Sequence, residues 1–273
     1  MRESLTVCVA DDVRARYATA GALASLPMSY HHGGKSTSED VTVIGGSSGW
    51  PGAVAGAIRA GARAVIVIAP EPAELSPLRS PDCVGSLIVI DSRWASNPAV
   101  ASAGAAFRSA VTAGTRFECR VLVGTARSLP AVLLDQLSLV RALLAPATEL
   151  RILHCSEHGF VGEALAAGIS VDLSATCTDA VPEQASARLL TADGAVHLLI
   201  PDGGTARPAL LTMTGPDGAV LTPTIYESGH RAALRRLHRL LVTDGRSTDI
   251  DDLEADITTA SIYTEDQNPY TTP

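Results

Sequence analysis

Residues 40–70 read DVTVIGGSSGWPGAVAGAIRAGARAVIVIAP, and this stretch decides the fold. A β-branched run (Val41, Val43, Ile44) ends in Gly45-Gly46-Ser47-Ser48-Gly49. Pro51 stands where a first helical turn tolerates proline, because the N–H it lacks has no partner inside the helix. A helix of small residues follows and stops at Gly61. Residues 64–68 are uniformly apolar, as in a strand buried on both faces of a parallel sheet. Strand, turn, helix and strand make a βαβ unit. Its right-handed crossover puts the glycine-rich turn at the carboxyl edge of the sheet, where α/β proteins bind ligands.

The same alternation extends outward. Strands are expected over 5–10, 41–44, 64–68, 86–90 and 117–123, with helices between them, most clearly over 98–113. This predicts a doubly wound parallel sheet. Residues 129–144 (LPAVLLDQLSLVRALL) form a strongly apolar helix. After it the pattern changes: strands over 151–154, 169–177, 185–191, 195–200 and 209–214 are joined by turn residues at Asp193-Gly194, Asp202-Gly203-Gly204 and Pro216-Asp217-Gly218. Short strands with tight turns predict an antiparallel sheet. A helix over 229–242 follows. The expected division is a reduced Rossmann-like α/β domain (1–124), an α+β domain with a large antiparallel sheet (125–262), and a loosely ordered tail (263–273).

Composition limits the function classes. The chain of 273 residues is 46% hydrophobic and only 4% aromatic, so its cores are aliphatic, and its net charge of −8 argues against nucleic acid or an anionic membrane as partner. Cys8, Cys83, Cys119, Cys155 and Cys177 are widely spread with no CxxC pair, which indicates neither a zinc ribbon nor a redox dithiol. Five thiols without an export signal point to a cytoplasmic protein. No stretch is apolar for the 18 residues a membrane helix needs.

Several motifs suggest chemistry. Gly45-Gly46-Ser47-Ser48-Gly49 satisfies G-x-S-x-G, with Asp91 and then His154 or His158 following in the order of a hydrolase triad. Against a Ser47 serine hydrolase, too few strands precede residue 47 and the hairpins of the second half have no place in that fold. His154-Cys155-Ser156-Glu157-His158 fits H-x-x-E-H, but a strand here would point the histidines apart, so no metal is expected. Gly33-Gly34-Lys35-Ser36-Thr37 imitates the end of a P-loop, but Ser29 stands where its first glycine belongs. Asp91, Arg93 and Trp94 follow a strand and reach the carboxyl edge, where the two charges either meet a polar ligand or close a loop as an ion pair. Asp135 and Gln136 on the apolar helix require buried partners and mark a remnant pocket or a subunit contact.

The order of these elements resembles the glucose–fructose oxidoreductase / inositol dehydrogenase (Gfo/Idh/MocA) family over residues 38–262. Residues 40–44 resemble its strand before a TPN-x-x-H-P turn, with Gly46, Ser47, Trp50 and Pro51 in matching places. Arg93 resembles the arginine of its R-x-x-P segment, and residues 134–144 its D-x-G-x-H-x-x-D helix. Residues 89–144 also resemble thiazolinyl imine reductases. The resemblance implies a Rossmann-like oxidoreductase, an NADP cofactor if the protein is active, and cofactor contacts from Gly45, Gly46, Ser47, Trp50 and Pro70. It implies pairing through the open face of the large sheet, with itself or with a full-length homologue, and a small-molecule or carrier-bound substrate in a biosynthetic pathway.

The departures from the family are chemical. Where it has GxGxxG, this chain has Ala10-Asp11-Asp12-Val13-Arg14-Ala15, and two carboxylates repel a pyrophosphate. Ile68-Ala69-Pro70 replaces E-K-P, so Ala69 stands in place of the catalytic lysine. Asp135 matches the first acid of the helix, but Leu139 replaces its histidine and Ala142 its second acid. The expected protein is therefore a pseudoenzyme or a chemically altered relative, with Asp135, Gln136 and Arg93 as the catalytic candidates and no cofactor. The alternatives are an active NAD(P)-dependent reductase and the Ser47 hydrolase.

Overall fold

The computed structural model describes residues 4–10, 13–33, 40–205 and 207–266. Asp11 and Asp12, residues 34–37 of the P-loop-like segment, and the tail after 266 lie outside them. The chain divides into two compact units: residues 1–96 with 228–254, and residues 97–227 with 255–273.

Unit 1 is built on β1 (Leu5–Val9), β2 (Tyr30–His32), β3 (Val41–Gly45), β4 (Ala64–Ile68) and β5 (Leu87–Asp91). They form a wholly parallel sheet in the order β2-β1-β3-β4-β5. α1 (Val13–Ala24) and α2 (Trp50–Arg59) are the crossovers. Every residue of β4 and β5 is buried, as the apolar runs AVIVI and LIVI require, and the carboxylate of Asp91 that ends β5 is buried with them. Val41, Val43, Ile66 and Val89 pack in one cluster with Ala233, Leu234 and Leu237 of α5 (Gly229–Val242). One face of the first sheet is thus covered by a helix that arrives more than 130 residues after β5.

Unit 2 contains α3 (Pro98–Ser109), β6 (Arg116–Val123), α4 (Leu129–Leu143), β7 (Thr148–Ser156), β8 (Gly159–Ala166), β9 (Ile169–Cys177), β10 (Gln184–Leu190), β11 (Ala195–Pro201), β12 (Leu210–Gly215) and β13 (Gly218–Leu221). The strands form one sheet in the order β13-β12-β11-β10-β6-β9-β8-β7, antiparallel except for the β6–β9 pair. α6 (Asp249–Asp266) runs through the division at residues 254/255.

The parallel α/β sheet followed by a large, mostly antiparallel one is the expected fold class. The division differs from a break at 124, because β6 belongs to the second sheet. Its residues alternate, with Phe117, Cys119, Val121 and Val123 buried and Arg116 and Arg120 exposed. Such alternation suits a sheet with one wet face. β8, β13 and β2 are additional strands, and α3 ends at Ser109, ahead of the left-handed Gly114.

The inner face of the second sheet is covered within the unit. Ile169, Val171, Leu173 and Ala175 are buried, and so are Val196, Leu198 and Ile200. α4 packs on β6, β8 and β9, and α3 on β11. α4 is buried from Ala131 to Val140, which explains its lack of an amphipathic pattern. The opposite face carries a belt of charges, Arg188, Glu118, Asp172, Glu163 and Arg151, set side by side by the strand register. They pair along it: Arg116 with Asp172, Arg151 with Glu163 (2.8 Å) and Arg188 with Glu118 (3.9 Å). Apolar Leu199, Val161 and Leu122 lie on the same face.

Candidate functional site

Strand register brings the chemistry of unit 1 to one edge. Gly45 pairs with Ile68, and Ile68 with Asp91, so the last residues of β3, β4 and β5 stand in one row at the carboxyl edge. Two strand spacings put Gly45 about 10 Å from Asp91. Backbone bonds extend the row: Gly46 N–H donates to Ile68 O (2.8 Å) and Ala69 N–H to Asp91 O (2.8 Å).

Asp91 is only 2% exposed, and its Oδ2 lies 2.5 Å from Nδ1 of His230, in the first turn of α5. The His230 side chain is 34% exposed. Burial pushes its pKa down, but the hydrogen bond and charge of Asp91 outweigh burial and the opposing charge of Arg93, and the imidazole is held above its usual value. With Nδ1 held by the carboxylate, Nε2 is the nitrogen available to water or a ligand. Beside this dyad, the Arg93 guanidinium lies 5.2 Å from the centre of the Trp94 ring. Trp94 is 1% exposed, and its indole N–H has no hydrogen-bond partner. A buried carboxylate orienting an imidazole supports proton transfer to a bound polar group.

The glycine-rich turn serves packing. A Cβ on Gly46 would lie 2.2 Å from Pro70 Cα and 2.5 Å from Pro70 N. Gly46 O accepts from Glu71 N–H (2.7 Å), and the buried Trp50 donates its indole N–H to Glu71 O (3.0 Å). Gly46, Trp50 and Pro70 therefore clamp the loop after β3 to the loop after β4. Ser47 is exposed, and its hydroxyl bonds to none of the described residues. The space beside Gly46 is filled by Pro70 backbone, so the turn offers no cradle to a pyrophosphate at that glycine.

The helix candidates have structural partners. Asp135 bonds Arg127 (2.6 Å), both nearly buried. Gln136, fully buried, donates to Cys119 O and Ser174 O (3.0 Å each), tying α4 to β6 and β9. Both therefore have the buried partners that the sequence reading required of them, all within unit 2. Leu139 is fully buried in the core. Ala69 adopts a left-handed conformation (φ 47°) immediately after β4.

Asp91 pairs with His230, whereas the sequence motif pointed to His154 or His158. His154 is exposed on β7, and His158, in the turn after it, lies 3.5 Å from Glu157. No disulfide joins the five cysteines, and among the described residues no group of three or more metal-ligating side chains comes together and no helix is long and apolar enough to cross a membrane. His230 was hidden in the sequence because its partner lies 139 residues away; the visible signal was a histidine in the first turn of a predicted helix.

No family model and no curated protein matches the chain. Solved structures share its fold. KijD10, a 3-ketoreductase from Actinomadura kijaniata solved with TDP-benzene and NADP, superposes with a TM-score of 0.66 at 12% identity over 95% of this chain and 96% of that one. The dehydrogenase MviM from Clostridium difficile gives 0.66 at 7% identity, over 96% and 99% of the two chains. The aldose–aldose oxidoreductase from Caulobacter crescentus gives 0.68 at 11% identity, over 96% and 97%. What this chain shares with these oxidoreductases is the two-sheet fold.

Proposed function

We propose that this protein is a degenerate, shortened relative of the Gfo/Idh/MocA oxidoreductases that kept their fold and does not run their standard hydride transfer. One observation carries the reading: Leu139, at the position of the family's catalytic histidine, is fully buried in the core. Ala69 at the lysine position offers no proton donor either, and losing a general acid–base group costs about 10²- to 10⁴-fold in rate. The protein then acts as a non-catalytic or chemically altered partner in a cytoplasmic biosynthetic pathway. It pairs with itself or with a full-length homologue through the charged and apolar outer face of the second sheet.

Titration with NADPH by calorimetry tests this. The reading expects no dissociation constant below about 1 mM, or about −4 kcal/mol. Micromolar binding would overturn it and promote the second reading, an active NAD(P)-dependent reductase of the imine-reductase kind. That reading is favoured by the Asp91–His230 dyad, which places a solvent-accessible imidazole at the ligand edge, and by the NADP-bound structure of KijD10. In it His230 delivers the proton, and His230→Gln abolishes turnover without weakening NADPH binding.

A further inference from the structure

We propose that β13 is a docking edge for a second copy of this chain. The two β13 strands join as an antiparallel pair, and the second sheet runs on from one subunit into the other. The proposal rests on a free strand edge of unit 2 and not on the outer-face pairing proposed above.

The two ends of the eight-stranded sheet differ. β7 closes one end and β13 the other. β7 (TELRILHCS) carries Glu149 and Arg151, its pairing with β8 slips between Thr148 and Arg151 and again between Ile152 and His154, and Glu149 is left-handed (φ 52°). Charges and bulges of this kind keep an edge from accepting another strand. β13 (GAVL) has no charge, no proline and an unbroken register with β12. All of its residues are exposed, and among the described residues no further strand pairs with it.

The direction of its backbone groups follows from the hairpin. Thr222 N–H donates to Leu211 O (2.9 Å), and Gly218 stands opposite Gly215. Bonded and non-bonded positions alternate along an antiparallel pair. Gly218, Val220 and Thr222 therefore turn their N–H and C=O groups toward β12, and Ala219 and Leu221 turn theirs outward. Apolar side chains flank this edge on both faces of the sheet. Val220 (59% exposed) continues the row Val196–Met213 on one face, and Leu221 (57% exposed) lies beside Thr212 on the other.

A second copy matches these groups one for one. Opposite residues of an antiparallel pair share a face, and the register that uses every outward group is centred on Val220. Val220 then meets the partner's Val220, and Ala219 meets the partner's Leu221 on each side of the two-fold axis, exchanging both N–H and C=O. Centring on Leu221 would set Ala219 against the partner's Pro223, which has no N–H to give. Centring on Ala219 would set Leu221 against the partner's Asp217, a turn residue. Neither β12 (LLTMTG) nor β13 carries a charge, so no like charges meet although the chain has a net charge of −8. An edge of 4 residues buries less than the roughly 1,200 Å² of a stable complex, so this pairing is weak and is populated at high protein concentration.

Val220→Cys in the full chain reads the register. Facing non-bonded positions have Cα atoms about 4.5 Å apart, within disulfide reach, whereas two copies of residue 219 or of residue 221 lie beyond about 7 Å. Air oxidation at high protein concentration should link Val220→Cys into dimers at least about tenfold more than wild type, Ala219→Cys or Leu221→Cys. Wild type supplies the baseline for the five native thiols. Adding Leu221→Pro, which removes an N–H that the hairpin does not use, should abolish the link with circular dichroism unchanged. No linking above wild type, equal linking at all three positions, or a link that survives Leu221→Pro would each overturn the proposal. So would a link lost in Leu199→Arg, which would assign the contact to the outer face.

Discussion

Nδ1 of His230 lies 2.5 Å from Oδ2 of Asp91 across 139 residues of chain, and this contact joins the first turn of α5 to the end of β5. The imidazole's pKa is raised in the folded protein. The contribution of the pair is therefore fully present below the unfolded value of about 6.5 and is lost as pH rises through the raised folded value. Urea titrations should show His230→Gln less stable than wild type by about 1–2 kcal/mol at pH 5.5, discounted for the partial exposure of the ring. The gap should narrow toward pH 9. A gap that widens with pH would contradict the assignment.

Gly46 and Gly49 lie three residues apart in the same turn but should respond differently to alanine. At Gly46 the new Cβ meets Pro70 backbone at 2.2 Å, and backbone cannot give way as a flexible side chain can. Gly46→Ala should cost about 3 kcal/mol or more. At Gly49 the space is open, and only the left-handed conformation (φ 80°) opposes a side chain. Gly49→Ala should cost about 1 kcal/mol. Thermal unfolding of the two variants checks the order.

Ser47→Ala should leave stability and any biological activity unchanged, and the wild-type protein should not react with fluorophosphonate probes. The exposed hydroxyl bonds to no described residue, and the histidine that Asp91 orients offers no hydrogen bond to it. Stoichiometric labelling that disappears in Ser47→Ala would revive the hydrolase reading.

Assembly through the outer face of the second sheet is tested at β11, where adjacent residues point in opposite directions. Leu198 is fully buried on the inner face, so Leu198→Arg should unfold the protein by placing a charge in the core, at a cost of several kcal/mol. Leu199 lies on the outer face, and Leu199→Arg should leave a folded chain that no longer pairs. Light scattering should show a wild-type mass above that of one chain, as expected of an interface that buries at least about 1,200 Å². A monomeric wild type would remove the interface.

Much of the fold was legible locally. The uniform apolar run of β4, the turn at Gly45–Gly49 and the alternation along β9 each reflect a short-range rule of burial on two faces or one. The same rule, applied to RFECRVLV, favours the second sheet for β6: it alternates, whereas β4 and β5 of the first sheet do not. Reading it by order along the chain, after four parallel strands, moved the boundary to 124. Of the candidate site, Asp91 and Arg93 were visible because they end an apolar strand. Trp50 and Pro70 were visible as residues but not as a packing clamp. Asp135 and Gln136 were visible as polar residues on an apolar helix, but their partners Arg127, Cys119 O and Ser174 O were not.

The sequence by itself determined most of the strands and helices, though not β2, β8 and β13, and which side chains of the oxidoreductase family are absent, because these depend on residue type and spacing over fewer than about twenty positions. The tertiary structure alone decided that α5 returns to cover the first sheet and that Asp91 meets His230. Those pairings join residues more than a hundred positions apart. They are chosen by which apolar faces bury each other best, and no local pattern in the chain encodes that choice.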